Sequence, residues 1–213
     1  MFKQKWDNEN NGVLLSNKIS EDQSIVSPRP VFFEELDLLG FGDHWNYPKC
    51  LEPLLWAIGR RYYYKGIFVA EVKGGNIYDK PILDIKQKLT IEPINVEKLI
   101  KKNIEALKVL ESEAIDFIQD THKRYKNKVD LFSVAFSGGK DSQVILDLIS
   151  RVLAPDEYVT IFTDTTMEIP FTYEAVENTK KKYKQIYPNL QFYTIKPKES
   201  ALEYWEKFGP PSR

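Results

Sequence analysis

The sequence predicts an α/β protein in which a parallel-sheet nucleotide-binding domain follows a small β-rich domain. Three observations carry that prediction. The stretch Phe136-Ser137-Gly138-Gly139-Lys140-Asp141-Ser142 sits between an apolar run over 129–136 and a helically periodic run over 142–153. From residue 131 onward, apolar runs of strand length alternate with amphipathic helical stretches, the pattern of βα units in a parallel sheet with helices on both faces. Residues 30–91, by contrast, are aromatic, rich in β-branched side chains and broken by turn signals.

Four segments follow. Residues 1–29 are polar, with one short apolar piece at 13–15, and read as loose chain or an edge strand. Residues 30–95 form the β-rich domain. Within it 60–64 and 67–72 make a hairpin around Lys65-Gly66, and Lys73-Gly74-Gly75-Asn76 turns into Ile77-Tyr78 and a strand at 82–85. Residues 96–128 link the domains through one long helix or two short ones, since Leu99, Asn103, Leu107, Leu110, Ala114, Phe117, Ile118 and Tyr125 recur at helical spacing. Residues 129–213 hold strands at 131–136, 158–163 and 191–195. Helices follow at 141–153, at 172–187 and around Leu202, Trp205 and Phe208.

The glycine stretch carries the chemistry. A strand that ends in a tight turn and feeds a helix aims several backbone N–H groups, and the positive end of the helix dipole, at one point. Gly138 and Gly139 let backbone approach an anion without a Cβ in the way. Ser137 and Ser142 supply hydroxyls, and Lys140 a mobile positive charge. Lys140 in a first helical turn opposes the dipole, which favours a functional over a decorative lysine. Asp141 reads equally as a Mg²⁺ ligand or as a helix cap. The arrangement is not a Walker A loop, which needs Gly, four residues and Gly-Lys-Ser/Thr, and no third glycine makes it a dinucleotide fingerprint.

Bulk properties narrow the setting. Of 213 residues, 30 are basic and 31 acidic, so the near-zero net charge gives no global pull toward nucleic acid or membrane. Cys50 alone cannot make an internal disulfide, and with His44 and His122 it cannot make a thiolate–histidine zinc cluster. No stretch approaches bilayer length, and the cytoplasm is the expected location.

The loop after the second strand of the latter half, Thr163-Asp164-Thr165-Thr166-Met167-Glu168-Ile169-Pro170, is unusually polar for a position directly after a buried strand. In open α/β sheets ligands sit at the carboxyl ends of strands, so this loop is the expected second half of the site, with Asp164, Thr165 and Glu168 facing ribose, metal or substrate.

The Ser-Gly-Gly-Lys-Asp-Ser stretch resembles the signature of the PP-loop ATP pyrophosphatase superfamily, whose fold is the adenine nucleotide alpha-hydrolase-like parallel sheet. Asp164-Thr165-Thr166-Met167-Glu168-Ile169-Pro170-Phe171-Thr172-Tyr173 is similar to the matching loop of the phosphoadenosine phosphosulfate (PAPS) reductase-like branch, which includes the small subunit of ATP sulfurylase. Phe208-Gly209-Pro210-Pro211-Ser212-Arg213 resembles a stretch that lines the sulfonucleotide pocket there. The resemblance spans residues 131–213. It implies an adenine nucleotide, ATP or a sulfonucleotide, held by residues 137–142, Asp164, Thr165, Glu168, Ser212 and Arg213, with Lys140, Asp141 and Asp164 catalytic and Mg²⁺ on Asp141 or Asp164. The intact cradle is like that of members that cleave ATP between its α- and β-phosphates, so adenylyl transfer with pyrophosphate release is the expected reaction. The alternative is sulfonucleotide reduction. Reductases of this branch use a cysteine near their C-terminus and none follows Cys50, so a thiol or iron–sulfur cluster is then expected from a partner chain or a C-terminal domain of which this chain is the N-terminal fragment. A third reading is a non-catalytic nucleotide-binding module of a nucleic-acid-modifying assembly.

Remaining features read as structural. Arg60-Arg61-Tyr62-Tyr63-Tyr64-Lys65 mixes base and aromatic residues as single-strand binders do, though its alternation reads first as a strand with one buried face. Lys180, Lys181, Lys182 and Lys184 are the expected wet face of a helix, Cys50 a structural thiol, and His44 and His122 surface residues.

Overall fold

The computed structural model describes residues 2–75 and 79–210; Asn76 of the second turn, the Ile77-Tyr78 that follows it, and Pro211, Ser212 and Arg213 of the C-terminal stretch lie outside the described residues. The chain divides into two compact units, residues 1–109 and 110–213.

The first unit is built on antiparallel strands. β1 (Lys3–Asp7) and β2 (Gly12–Ser16) form a hairpin. Of the two expectations for this segment, loose chain gives way and the edge strand stands in fuller form, a two-stranded hairpin, because the hairpin is held from outside its own sequence. The buried Asn103 side chain accepts from Leu15 N at 2.7 Å and donates to Val13 O at 2.8 Å, standing in for a neighbouring strand. Asp7 closes the turn by accepting from Asn10 and from Lys102, the latter at 2.7 Å.

β3 (Arg29–Val31), β4 (Leu55–Ile58), β5 (Arg61–Tyr64), β6 (Ile67–Gly74) and β7 (Pro81–Ile85) form a five-stranded sheet in chain order. Lys65 and Gly66 both take positive φ (50° and 75°), the twist-matched two-residue turn between β5 and β6. Within this stretch lies a helix that the β-rich reading passes over, α1 (Phe33–Leu39), with acids in its first turn and Gly40 at φ 83° ending it. Val31, Leu36, Phe41, Leu55, Ala57, Tyr62, Val69 and Ile91 make one core, with the Phe41 and Trp45 rings stacked at 4.5 Å. Cys50 packs beside that core, and burial, the largest influence, pushes its thiol up, so it rests protonated.

One continuous helix, α2 (Val96–Tyr125), contains the division between the units. In the second unit β8 (Phe132–Ala135), α3 (Lys140–Val152), β9 (Tyr158–Thr163), α4 (Pro170–Ile186), β10 (Gln191–Ile195) and α5 (Ala201–Phe208) follow in strict alternation. The three strands are parallel, in the order β10-β9-β8. Phe132, Val134, Phe136, Tyr158, Phe162 and Phe192 point to one face and pack on Leu146 and Ile149 of α3 and on Val176 and Tyr183 of α4. Both helices therefore cover the same face, where the alternation suggests helices on both. Two successive crossovers of one hand, stepping in one direction across a sheet, place their helices on one side. Ser133, Ala135, Thr163, Tyr193 and Ile195 on the opposite face are exposed. His122 also departs from its expected surface position: its side chain is only 16% exposed, packs on Phe132 and lies 3.4 Å from Glu157. No helix among the described residues is long and apolar enough to cross a membrane.

Candidate nucleotide site

Two loops leave the carboxyl ends of β8 and β9, and they hold all the described residues singled out from the sequence. The first begins where Phe136 N, donating to Ile161 O at 2.8 Å, keeps the chain in the ladder up to its last buried residue. Gly138 then turns at φ 79°, and a Cβ added there would lie 3.4 Å from Val176 Cγ2 and 3.5 Å from Thr172 O. That glycine thus serves the turn and the close seating of the loop on α4. Gly139 is different: at φ −75° and ψ 164° it caps α3 in extended backbone that any residue adopts.

Ser142 locks the turn from inside. Its side chain is 8% exposed, its Oγ donates to Gly139 O at 2.8 Å, and it accepts from Ser137 N at 3.2 Å. The Ser137 hydroxyl lies 3.3 Å from it and accepts a long 3.4 Å bond from Gly139 N. Gln143 adds a 3.0 Å bond to Gly138 O. Gly139 offers no side-chain cap, so the first-turn amides of Lys140, Asp141 and Ser142 find no acceptor among the described residues. They and the dipole of a 13-residue helix face outward together. Asp141 is not the cap: it stands in the first turn, 85% exposed, accepting from the equally exposed Lys140 at 2.7 Å. The carboxylate of this first turn is thereby partnered by its neighbour's ammonium in solvent.

The second loop is closed on itself. Asp164 is 5% exposed, and its Oδ1 accepts from Thr166 N and from the Tyr173 hydroxyl, both at 2.8 Å. Its Oδ2 lies 3.7 Å from Lys196 Nζ, and its own N–H donates to Ile195 O. The Tyr173 hydroxyl, then the Thr166 amide, hold the Asp164 carboxyl below the usual carboxylate range, and the same bond pushes the Tyr173 phenol up. Thr166 sits at φ 68° and accepts from Ala201 N at 2.8 Å, tying the loop to α5. Thr165 donates to Glu168 at 2.8 Å, and both remain accessible.

Ser137, Gly138, Gly139, Lys140, Asp141 and Ser142 are thus gathered in one turn, and Asp164, Thr165 and Glu168 in the next. No hydrogen bond joins the two loops among the described residues; the physical link is Gly138 against Thr172 and Val176 of α4, the helix that the second loop feeds. Tyr173 and Lys196 were not singled out as site residues from the sequence. Tyr173 reads there as one more apolar position on a helix face, and Lys196 lies 32 residues beyond Asp164 with no local pattern to join them.

As for a metal, no group of three or more His, Cys, Asp or Glu side chains is placed to hold one among the described residues. Asp164 fits poorly as a ligand, since one oxygen already takes two donors and the other faces an ammonium. Asp141 fits as a single carboxylate.

Comparison with known proteins agrees with this geometry. The family profile of the phosphoadenosine phosphosulfate reductase domain matches residues 131–213. An uncharacterized protein of Methanocaldococcus jannaschii is 34% identical over 145 residues, 68% of this chain and 33% of that protein. The adenosine 5′-phosphosulfate reductases of Halalkalibacterium halodurans and Staphylococcus epidermidis are 36% and 31% identical over 97 residues, 46% of this chain and 38% and 36% of theirs. The chain spans about a third of the length of these curated relatives. Strand, glycine turn, open helix start and matched segment coincide, and residues 131–213 form a domain of the phosphoadenosine phosphosulfate reductase-like family, consistent with the PP-loop superfamily.

Proposed function

We propose that the turn at 137–142 binds the anionic tail of an adenine nucleotide, and that the ligand is a sulfonucleotide of the adenosine 5′-phosphosulfate class. The observation that carries this reading is the set of three unaccepted amides at the start of α3, projected by the buried Ser142 and flanked by the exposed Lys140. An oxyanion there meets N–H donors, the helix dipole and an ammonium free to leave Asp141, without any rearrangement of the backbone. The likeness to adenosine 5′-phosphosulfate reductases supports the sulfonucleotide class. In this reading these residues bind and orient. No cysteine lies between Cys50 and Arg213, so the thiol that attacks the sulfonyl sulfur, displacing adenosine monophosphate, comes from a partner chain or a further domain.

A second reading is cleavage of ATP at its α-phosphate, favoured by the complete Ser-Gly-Gly-Lys-Asp-Ser stretch. Lys140 and the open amides then offset charge on the departing pyrophosphate. Mg²⁺ would enter on the phosphates themselves, with Asp141 as its one protein carboxylate, and would neutralise their charge.

Calorimetric titration with adenosine 5′-phosphosulfate, its 3′-phosphorylated form and ATP, with and without Mg²⁺, decides between these. We expect a sulfonucleotide to bind most tightly, and Lys140→Ala to weaken it by roughly tenfold or more, the loss of one charge-assisted bond. Tighter ATP binding with accumulation of adenosine monophosphate selects the second reading. Failure of every nucleotide to bind sinks both.

A further inference from the structure

The outer face of the five-stranded sheet in the first unit is unlike the usual solvent face of an antiparallel sheet, which is polar. The register between β5 and β6 shifts between Tyr62 and Tyr63, so Val69 and Ala70 are both buried while Phe68 stands opposite Tyr63 on the outer face. Trp6 of β1 stacks on Tyr63 with ring centroids 5.1 Å apart and planes at 27°, and Tyr63 meets Phe68 at 5.8 Å. Tyr63 and Phe68 on the sheet and Trp6 of the β1–β2 hairpin thus form a run of three aromatic rings, each of them partly exposed. Two cations lie over Phe68: Arg61 Cζ is 6.0 Å and Lys86 Nζ 5.9 Å from its centroid.

Charge on this face is layered. Arg61 pairs with Glu71, and Lys73 and Lys86 both pair with Asp84. The acids are the inner members, with side chains 27% and 28% exposed, against 61%, 57% and 43% for Arg61, Lys73 and Lys86. An incoming polyanion meets three cations before it meets two screened carboxylates. Rings for bases to stack on, beside cations for a backbone, are what a single strand of nucleic acid requires. We propose that this face binds single-stranded nucleic acid, with bases on Trp6, the outer ring of its stack with Tyr63, and on Phe68, and phosphates on Arg61, Lys73 and Lys86. The proposal rests on residues of the first unit alone and stands or falls independently of the reading of the nucleotide turn.

Fluorescence anisotropy of the full chain against labelled oligo(U) and oligo(dT) of about twelve nucleotides tests this. Binding is expected at about 50 mM salt and should weaken steeply by about 200 mM. Phe68→Ala should weaken it roughly tenfold. Arg61→Gln and Lys86→Gln should each flatten the slope of log affinity against log salt by about 0.7, leaving the rings in place. These two also serve if the phenylalanine variant loses its fold. Lys180→Gln, a lysine of α4 in the other unit, should change nothing. The proposal is overturned by absence of binding at the lower salt, or by binding that the Arg61, Lys86 and Phe68 variants leave unchanged. A duplex that binds as tightly as the single strand, or an acidic peptide that displaces the oligonucleotide with equal potency, overturns it as well.

Discussion

The loops after β8 and β9 leave neighbouring strands of one sheet at the same end, yet they treat their polar groups in opposite ways. The first leaves the amides of Lys140, Asp141 and Ser142 without acceptors among the described residues, and its charged side chains in solvent. The second spends its buried carboxylate on a backbone amide, a phenol and the neighbourhood of an ammonium. In each, one buried polar side chain, Ser142 or Asp164, shapes the backbone. The difference is what is left over: donors for an anion in the first, and the accessible Thr165 and Glu168 in the second. A residue type drawn from a motif therefore does not by itself disclose whether it meets the ligand or holds the loop that does.

The largest effect we expect separates the two glycines of the first loop. Gly138→Ala forces a side chain into left-handed backbone, at about 1–2 kcal/mol, and sets its Cβ against Val176 at 3.4 Å. Gly139→Ala meets Ser137 Oγ at an ordinary 3.5 Å in extended backbone, so it should cost less, about 0.5–1 kcal/mol, the helix N-cap's preference for glycine over alanine. Chemical denaturation of both variants measures this. Equal losses would show that the loop is not seated on α4 as described. Nucleotide titration of the stable Gly139 variant then asks separately whether a Cβ at the helix start obstructs an anion.

A smaller effect is expected from Ser142→Ala. It removes the donor to Gly139 O and the acceptor for Ser137 N, at about 1 kcal/mol. Ser142→Thr retains the hydroxyl and should keep part of that. If Ser142 positions the amides and does not itself touch the ligand, the alanine variant loses nucleotide affinity in proportion to its loss of loop order, read as faster hydrogen exchange at residues 138–141. Lost affinity with unchanged exchange would instead make the hydroxyl a direct contact.

How far such roles are legible in sequence depends on the range of the forces that set them. β9 and β10 fall at 158–163 and 191–195 as the apolar patterns predict, because a strand between other elements is fixed by its own alternation and burial. The glycine turn, the start of α3 and the capping box Ser200–Glu203 of α5 are likewise local chemistry. The β1–β2 hairpin is less readable because its support comes from Asn103, some 90 residues away. α1 is obscured differently: its acidic first turn and Gly40 are present in the sequence but lie inside a stretch whose aromatics argue for strands. The Asp164 knot belongs with the hairpin, since Tyr173 and Lys196 reach the aspartate only once two further elements have folded.

That knot gives the smallest predicted effect and the one that depends on pH. The Tyr173 hydroxyl and the Thr166 amide bond the ionised Asp164, so its folded carboxyl titrates below the ordinary value of 3.8. A group depressed in this way contributes its full stabilisation above the unfolded value and loses it as pH falls through the folded one. Asp7 in the first unit behaves with the same sign: burial pushes its carboxyl up, but the bonds from Lys102 and Asn10 together outweigh that. Acid therefore loosens both units, and a global unfolding curve cannot apportion the loss. Asp164→Asn can, because it keeps an acceptor for Tyr173 and Thr166 while removing the titrating group. Between neutral pH and about pH 3 the parent should lose more of its thermal stability than this variant does, and the protection of the Thr166 amide, its exchange rate relative to the free-chain rate at the same pH, should fall with acid in the parent alone. If both proteins soften equally, the carboxylate is not what keeps the second loop closed, and the contrast between the two loops rests on the first alone.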